Sequence, residues 1–244
     1  MDLQPSPTAK KELTPTGKLR VGVNLGNFLL VSKQSADGIE GIVPDLAQEL
    51  ARRLGVAVEL RTYPQAGPVA DAAKSGAWDV AFIGAEPQRA SEIDFTEPYI
   101  EIEATYLVPA GSPIRSIAEV DRKGVRVAVS SRSAYDLWLA RNIRNAELVR
   151  AEGIEGSYQL FVKEKLDVLA GLKPRLLQDR EKLPGSRILE GRFTAVQQAI
   201  GTPKGRPAAA AYLREFATEI KASGLVARLI ERHQVRGVTV AGSA

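Results

Sequence analysis

The chain has 244 residues, 44% of them hydrophobic and 25% charged, with no cysteine, one histidine (His233) and a net charge of +4. This describes a globular protein of one large or two small domains and excludes a membrane-spanning or bulk-disordered chain, because no apolar run reaches bilayer length and the apolar residues are spread throughout. Without thiols and with a single imidazole, a structural zinc site, a thiolate nucleophile, an iron–sulfur cluster and a central Ser-His-Asp triad are excluded as well, and the interspersed lysines and arginines give no reason to expect a nucleic-acid partner.

Residues 1–16 are polar, hold three prolines and show no apolar period. They read as a flexible lead-in. They lack the apolar stretch of a signal peptide, so the expectation is either a cytosolic chain or a mature domain whose export signal has been removed. Order begins with Leu19, Val21 and Val23, which alternate with Arg20 and Gly22 as a strand and run into the turn Asn24 to Asn27. Val43, Leu46, Ala47, Leu50 and Leu54 recur at helical spacing, with Pro44 suited to the first turn and Gly55 to the stop, which predicts a helix over 43–54. Val56, Val58 and Leu60 form the next strand, 69–74 a short helix and 78–83 a mostly apolar strand. Strand and helix alternating in this way is the grammar of an α/β domain with a largely parallel sheet.

The same grammar returns after residue 110. A strand covers 125–129, Ser133 opens a helix through the spacing Ser133-x-x-Asp136, and a buried strand covers 167–170 ahead of Pro174. Extended segments at 102–108 and 193–200 flank this second unit. Two amphipathic helices, 208–222 and 225–233, close the chain, with His233 read as a partly exposed surface residue. The expected fold class is therefore α/β with two lobes joined by a two-stranded hinge. Lobe 1 is discontinuous, 17–107 with 195–240, and lobe 2 covers 108–194. Ligands of such sheets lie where strand ends and helix N termini converge.

The most informative stretch is DVAFIGAEPQRASEIDFTEPY, from Asp79 to Tyr99. A strand ends at Gly84, Pro87 can start a helical turn, and Arg89 follows with a planar fork able to grip a carboxylate through two parallel hydrogen bonds. This run, after GIVPDLAQELARRLG and ahead of KGVRVAV, resembles the extracytoplasmic solute-binding proteins of family 3, the two-lobed periplasmic receptors of ABC transporters typified by amino-acid receptors. The likeness extends from about Lys18 to about Val235 and implies a type II periplasmic-binding-protein-like fold. It also implies a receptor that closes on a small solute in an interlobe cleft and presents it to a membrane permease, with no cofactor and no metal. A periplasmic location and a monomeric state follow from the same resemblance.

Residue by residue, the resemblance implies that Arg89 grips the solute's carboxylate beside the small-residue site Gly84. Ser133, at the second lobe's helix N terminus, closes on the same carboxylate. Asn27 and Phe28 fall where the first-strand loop supplies a polar group and an aromatic wall, Gln198 where the returning segment faces the ligand, and Tyr135 in the first turn of the Ser133 helix. Departures matter equally. Where the amino-acid receptors place an aspartate for the ligand's ammonium, this chain has Leu172 followed by Lys173, and Arg132 replaces the usual glycine before Ser133. An unpaired buried ammonium is costly, so a standard α-amino acid is disfavoured. Arg89, Arg132 and Lys173 together suit an anionic ligand with one or two carboxylates, unless the last two point to solvent. Two alternatives stay open: an amino-acid receptor with an atypical amine site, and an enzyme resembling cyclohexadienyl dehydratases, for which Glu86 is the candidate general acid. The expectation is a binding protein and not an enzyme.

Overall fold

The computed structural model describes residues 4–35 and 38–242. In chain order the elements are α1 (Pro7–Leu13), β1 (Lys18–Asn24), β2 (Lys33–Ser35), β3 (Gly38–Glu40), α2 (Ile42–Leu54), β4 (Ala57–Tyr63), α3 (Ala66–Asp71), β5 (Val80–Gly84), β6 (Ile93–Phe95) and β7 (Ile100–Val108). After a 3-10 turn (Ile117–Glu119) come β8 (Arg126–Ser130), α4 (Ala134–Asn142), β9 (Glu147–Ala151), α5 (Gly153–Lys163), β10 (Val168–Leu172), α6 (Lys173–Glu181), β11 (Arg187–Ile188), β12 (Thr194–Pro203), α7 (Pro207–Ala222), α8 (Leu225–Arg232) and β13 (Val238–Val240). The chain divides into two compact units: unit 1 runs to Glu101 and resumes at Gln197, and unit 2 is Ile102–Val196. It crosses twice, once within β7 and once within β12.

In unit 1, β4, β1 and β5 are parallel, with Lys18 opposite Ala57 and Val21 opposite Val80. The returning part of β12 runs antiparallel to β5, placing Gln198 opposite Gly84, and β6 pairs with β12. The helical spacing in α2 buries Ile42, Val43, Leu46, Ala47, Leu50 and Leu54. Gly55 then stops the helix in the left-handed region at φ 65°, its N–H reaching the carbonyls of Ala51 and Arg52, a conformation that favours glycine. A second cluster gathers Val69, Ala73, Trp78, Ile83 and Ile93, and the Trp78 indole N–H donates to the Val69 carbonyl at 2.9 Å.

The expectation of a flexible lead-in over 1–16 is corrected for the described part; residues 1–3 lie outside the described residues. Ser6 caps α1 by accepting from the Ala9 N–H at 3.1 Å, and Pro7 occupies the first helical turn, where its missing N–H costs nothing. Ala9 and Leu13 are buried. The Glu12 carboxylate accepts from the Ala209 N–H of α7 at 2.8 Å, and Arg206 donates to the Glu12 carbonyl at 3.0 Å. His233, read as partly exposed, is half-buried, its side chain 12% exposed, and Nε2 lies 2.8 Å from Asp45 Oδ2.

In unit 2, β9, β8 and β10 are parallel and β7 runs antiparallel to β10, with Leu172 opposite Ala104. Leu107, Ala128, Phe161, Leu166, Leu169 and Leu176 form its core cluster.

Candidate functional site

In unit 1 the parallel strands β1, β4 and β5 finish at one sheet edge, and the loops after β1 and β5 carry the residues singled out above. β5 ends at Gly84, and the Ala85 N–H donates to the Gln197 carbonyl at 2.8 Å, so the loop leaves the sheet beside β12. Residues 86–90 then make a helical turn in which the N–H groups of Arg89 and Ala90 both donate to the Glu86 carbonyl, at 2.9 and 3.0 Å. That turn folds Arg89 back until Nη1 donates to the Gly84 carbonyl at 2.8 Å. Arg89 is 5% exposed, Glu86 9% and Gln198 5%. Gly84, Arg89 and Gln198 are thus gathered by one strand register and one hydrogen bond.

The loop after β1 is built differently. Asn27 Oδ1 accepts from the Leu29 N–H at 3.3 Å, while the Asn27 carbonyl accepts from Leu30 and Val31, so this side chain shapes its own turn. Phe28, beside it, is half-buried.

In unit 2 the carboxyl end of β8 leads into α4. Ser133 is the N-cap, accepting from the Asp136 N–H at 3.1 Å, as its spacing predicted. The Asp136 carboxylate does not return to the Ser133 N–H. It accepts instead from the Arg132 N–H at 2.7 Å and from Arg150 Nε at 2.9 Å. Asp136 and Arg150 are site-shaping residues that the sequence reading did not join, because the link needs β9 beside β8.

Arg132 is exposed and sits in the left-handed region at φ 58°. Tyr135 is 2% exposed. Burial drives its phenol up to about 12, partly offset by hydrogen bonding with Ser133 and Ser130. Tyr135, expected toward the ligand, thus has its phenol beside the Ser133 hydroxyl that caps the same helix. Leu172 is 5% exposed. Lys173, expected as a cation for the ligand, is ion-paired with Glu103 at 2.7 Å.

Unit 2 carries sixteen lysines and arginines against twelve aspartates and glutamates, a difference of four equal to the whole net charge of the chain. Among the described residues, no group of three or more His, Asp or Glu is placed to hold a metal ion, and no helix is long and apolar enough to cross a membrane.

The family model for bacterial extracellular solute-binding proteins, family 3, matches residues 19–235. The L-cystine-binding protein TcyJ of Escherichia coli is 24% identical over 220 residues, covering 88% of this chain and 82% of its own. Among solved structures, the amino acid ABC transporter substrate-binding protein AbpA of Streptococcus pneumoniae, bound to L-arginine, is similar at a TM-score of 0.75 and 21% identity, covering 91% of this chain and 97% of that one. The ancestral amino acid-binding protein AncCDT-1, a precursor of cyclohexadienyl dehydratase, is similar at a TM-score of 0.73 and 23% identity, covering 91% and 98%. At these identities the likeness to the solved structures establishes the fold, that of the two-lobed periplasmic amino-acid-binding proteins.

Proposed function

The chain belongs to the bacterial extracellular solute-binding proteins of family 3, and we propose that it is the periplasmic receptor of an ABC transporter for a small solute bearing a carboxylate and no α-amine. The observation that carries this reading is Arg89: a buried arginine anchored at one Nη1 to the Gly84 carbonyl, held at a strand end. A guanidinium fixed in that way is prepared for a carboxylate at little further cost in side-chain freedom. Gln198 adds a neutral hydrogen-bonding group beside it, and Ser133 with the first N–H groups of α4 adds donors in unit 2.

Two features support the absence of an α-amine. Leu172, buried at the end of β10, offers an ammonium no partner, and the excess of positive charge resides wholly in unit 2. TcyJ and AbpA, by their names and contents, bind amino acids, which makes the zwitterionic amino acid the competing ligand class. Calorimetric titration of both classes decides: carboxylates without an amine bind more tightly than amino acids of equal length, and Arg89→Ala abolishes binding. Tighter binding of the amino acids would overturn the ligand class.

One observation favours a catalytic alternative. Glu86 is 9% exposed and lies one turn before Arg89, where it is the side chain that a dehydratase reaction would call on for proton transfer. Incubation with prephenate or arogenate, followed by chromatography for an aromatic product, tests it.

A further inference from the structure

We infer that Glu103 is a specificity-determining residue, which neutralises Lys173 and so restricts the receptor to solutes with a single carboxylate; the inference rests on the carboxylate reading above. It begins from register. β7 and β10 are antiparallel with Leu172 opposite Ala104, so Lys173, one residue past the end of β10, comes alongside Glu103 of β7. Lys173 Nζ lies 2.7 Å from Glu103 Oε2. Arg192 Nη1 lies 3.7 Å from the other oxygen, Oε1, and the Phe193 N–H, donating to the Ala104 carbonyl at 3.0 Å, holds that segment beside β7. One carboxylate thus sits between two cations brought by separate segments of unit 2.

The position is the carboxyl end of β10, the edge at which open α/β sheets present residues to ligands. Lys173 is also the first residue of α6, where the positive end of the helix dipole adds to its charge instead of opposing it. An uncompensated ammonium there would draw a second carboxylate on the solute. Glu103 compensates it. A pair this exposed, with both side chains 40% accessible, adds little to stability, because water screens it and two long side chains must be held still. Its consequence is local charge: Arg192 stands farther off, at 3.7 Å and half exposed, so a second carboxylate approaching Lys173 itself meets Glu103, like charge against like.

The test uses three acids of equal length that differ only at the far end: pentanoate, glutarate and 5-aminopentanoate. Each is titrated calorimetrically into the unaltered protein, Glu103→Gln and Lys173→Met, both substitutions being at accessible positions. Glu103→Gln is expected to improve glutarate relative to pentanoate by about fivefold, the size of one exposed ion pair. Lys173→Met is expected to improve 5-aminopentanoate relative to pentanoate by a similar factor. Ratios that stay the same in all three proteins overturn the inference while leaving the carboxylate reading in place. The absence of binding by any of the three acids to any of the three proteins overturns both.

Discussion

The Glu12 carboxylate caps a helix 197 residues away, accepting the Ala209 N–H at 2.8 Å. Ala209 lies in the first turn of α7, whose N-cap, Arg206, has no side-chain cap of its own. Ala209 is fully buried, so Glu12 satisfies a donor that would otherwise go unpaired, and its negative charge lies at the favourable end of the helix dipole. Glu12→Ala is expected to lower stability by about 1–2 kcal/mol, the range of a lost N-cap, measured by urea denaturation. Glu12→Gln, which keeps an acceptor and loses the charge, is expected to fall between the two.

Arg206 carries the same attachment deeper into unit 1. Its Nη1 also donates to Asp79 Oδ1 at 2.9 Å, and Asp79 is fully buried, gripped from the other side by Arg20 through Nε at 2.9 Å and Nη2 at 2.7 Å. Removing the carboxylate leaves two partly buried guanidiniums without their partner, so Asp79→Ala is expected to cost about 3–5 kcal/mol. The double variant Asp79→Ala with Arg206→Ala is expected to lose less than the sum of the two single losses, because both report one network. Additive losses in a denaturant-based cycle would contradict the shared network.

Acid sensitivity has an identifiable source in α2. Hydrogen bonds from Arg52 and then Arg53 hold the Glu49 carboxyl down at about 2, from an ordinary 4.5, against the opposing effect of burial. A carboxyl depressed in the folded state contributes stability that is fully present above its unfolded pKa and is lost as pH falls through the folded one. The contribution of Glu49 is therefore complete above about pH 4.5 and gone below about pH 2. The stability difference between the unaltered protein and Glu49→Gln is expected to be largest at neutral pH and to shrink across that window, in urea melts at stepped pH.

Some of this architecture is legible in local residues and some is not. α2 announces itself through Leu46, Ala47, Leu50, Leu54 and the stop at Gly55, because period and punctuation agree. The Gly84-to-Arg89 loop is legible because a strand, a glycine, a proline and an arginine fall in order. α1 is hidden, since its two buried positions, Ala9 and Leu13, are too few to show a period and its prolines at 5 and 7 look like breakers; its order comes from Glu12 and Arg206, across the fold. β9 is hidden because Glu147–Ala151 is only half-buried and does not alternate. Lys173 is recognisable as a cation near the strand end, but its partner Glu103 appears only once the β7–β10 register is known. Asp136 reads as the third residue of a cap, while its bond to Arg150 depends on β9 lying beside β8.

Ser133 allows its structural and ligand duties to be separated. Its hydroxyl caps α4 and hydrogen-bonds the Tyr135 phenol. Ser133→Ala is expected to cost about 1 kcal/mol of stability through the lost cap, and the Tyr135 phenol, deprived of a hydrogen bond that lowers it, is expected to titrate still higher in ultraviolet absorbance. Ser133→Asp keeps a capping oxygen and suits the helix dipole, so its stability is expected to stay close to that of the unaltered protein. Toward a carboxylate solute the two substitutions part company. Alanine removes one donor and weakens binding modestly, whereas aspartate sets a negative charge against the solute's own and is expected to abolish binding. Calorimetry on the pair reads the difference: if Ser133→Asp binds the solute as tightly as the unaltered protein, Ser133 is a cap alone, and the carboxylate contact belongs to Arg89 without it.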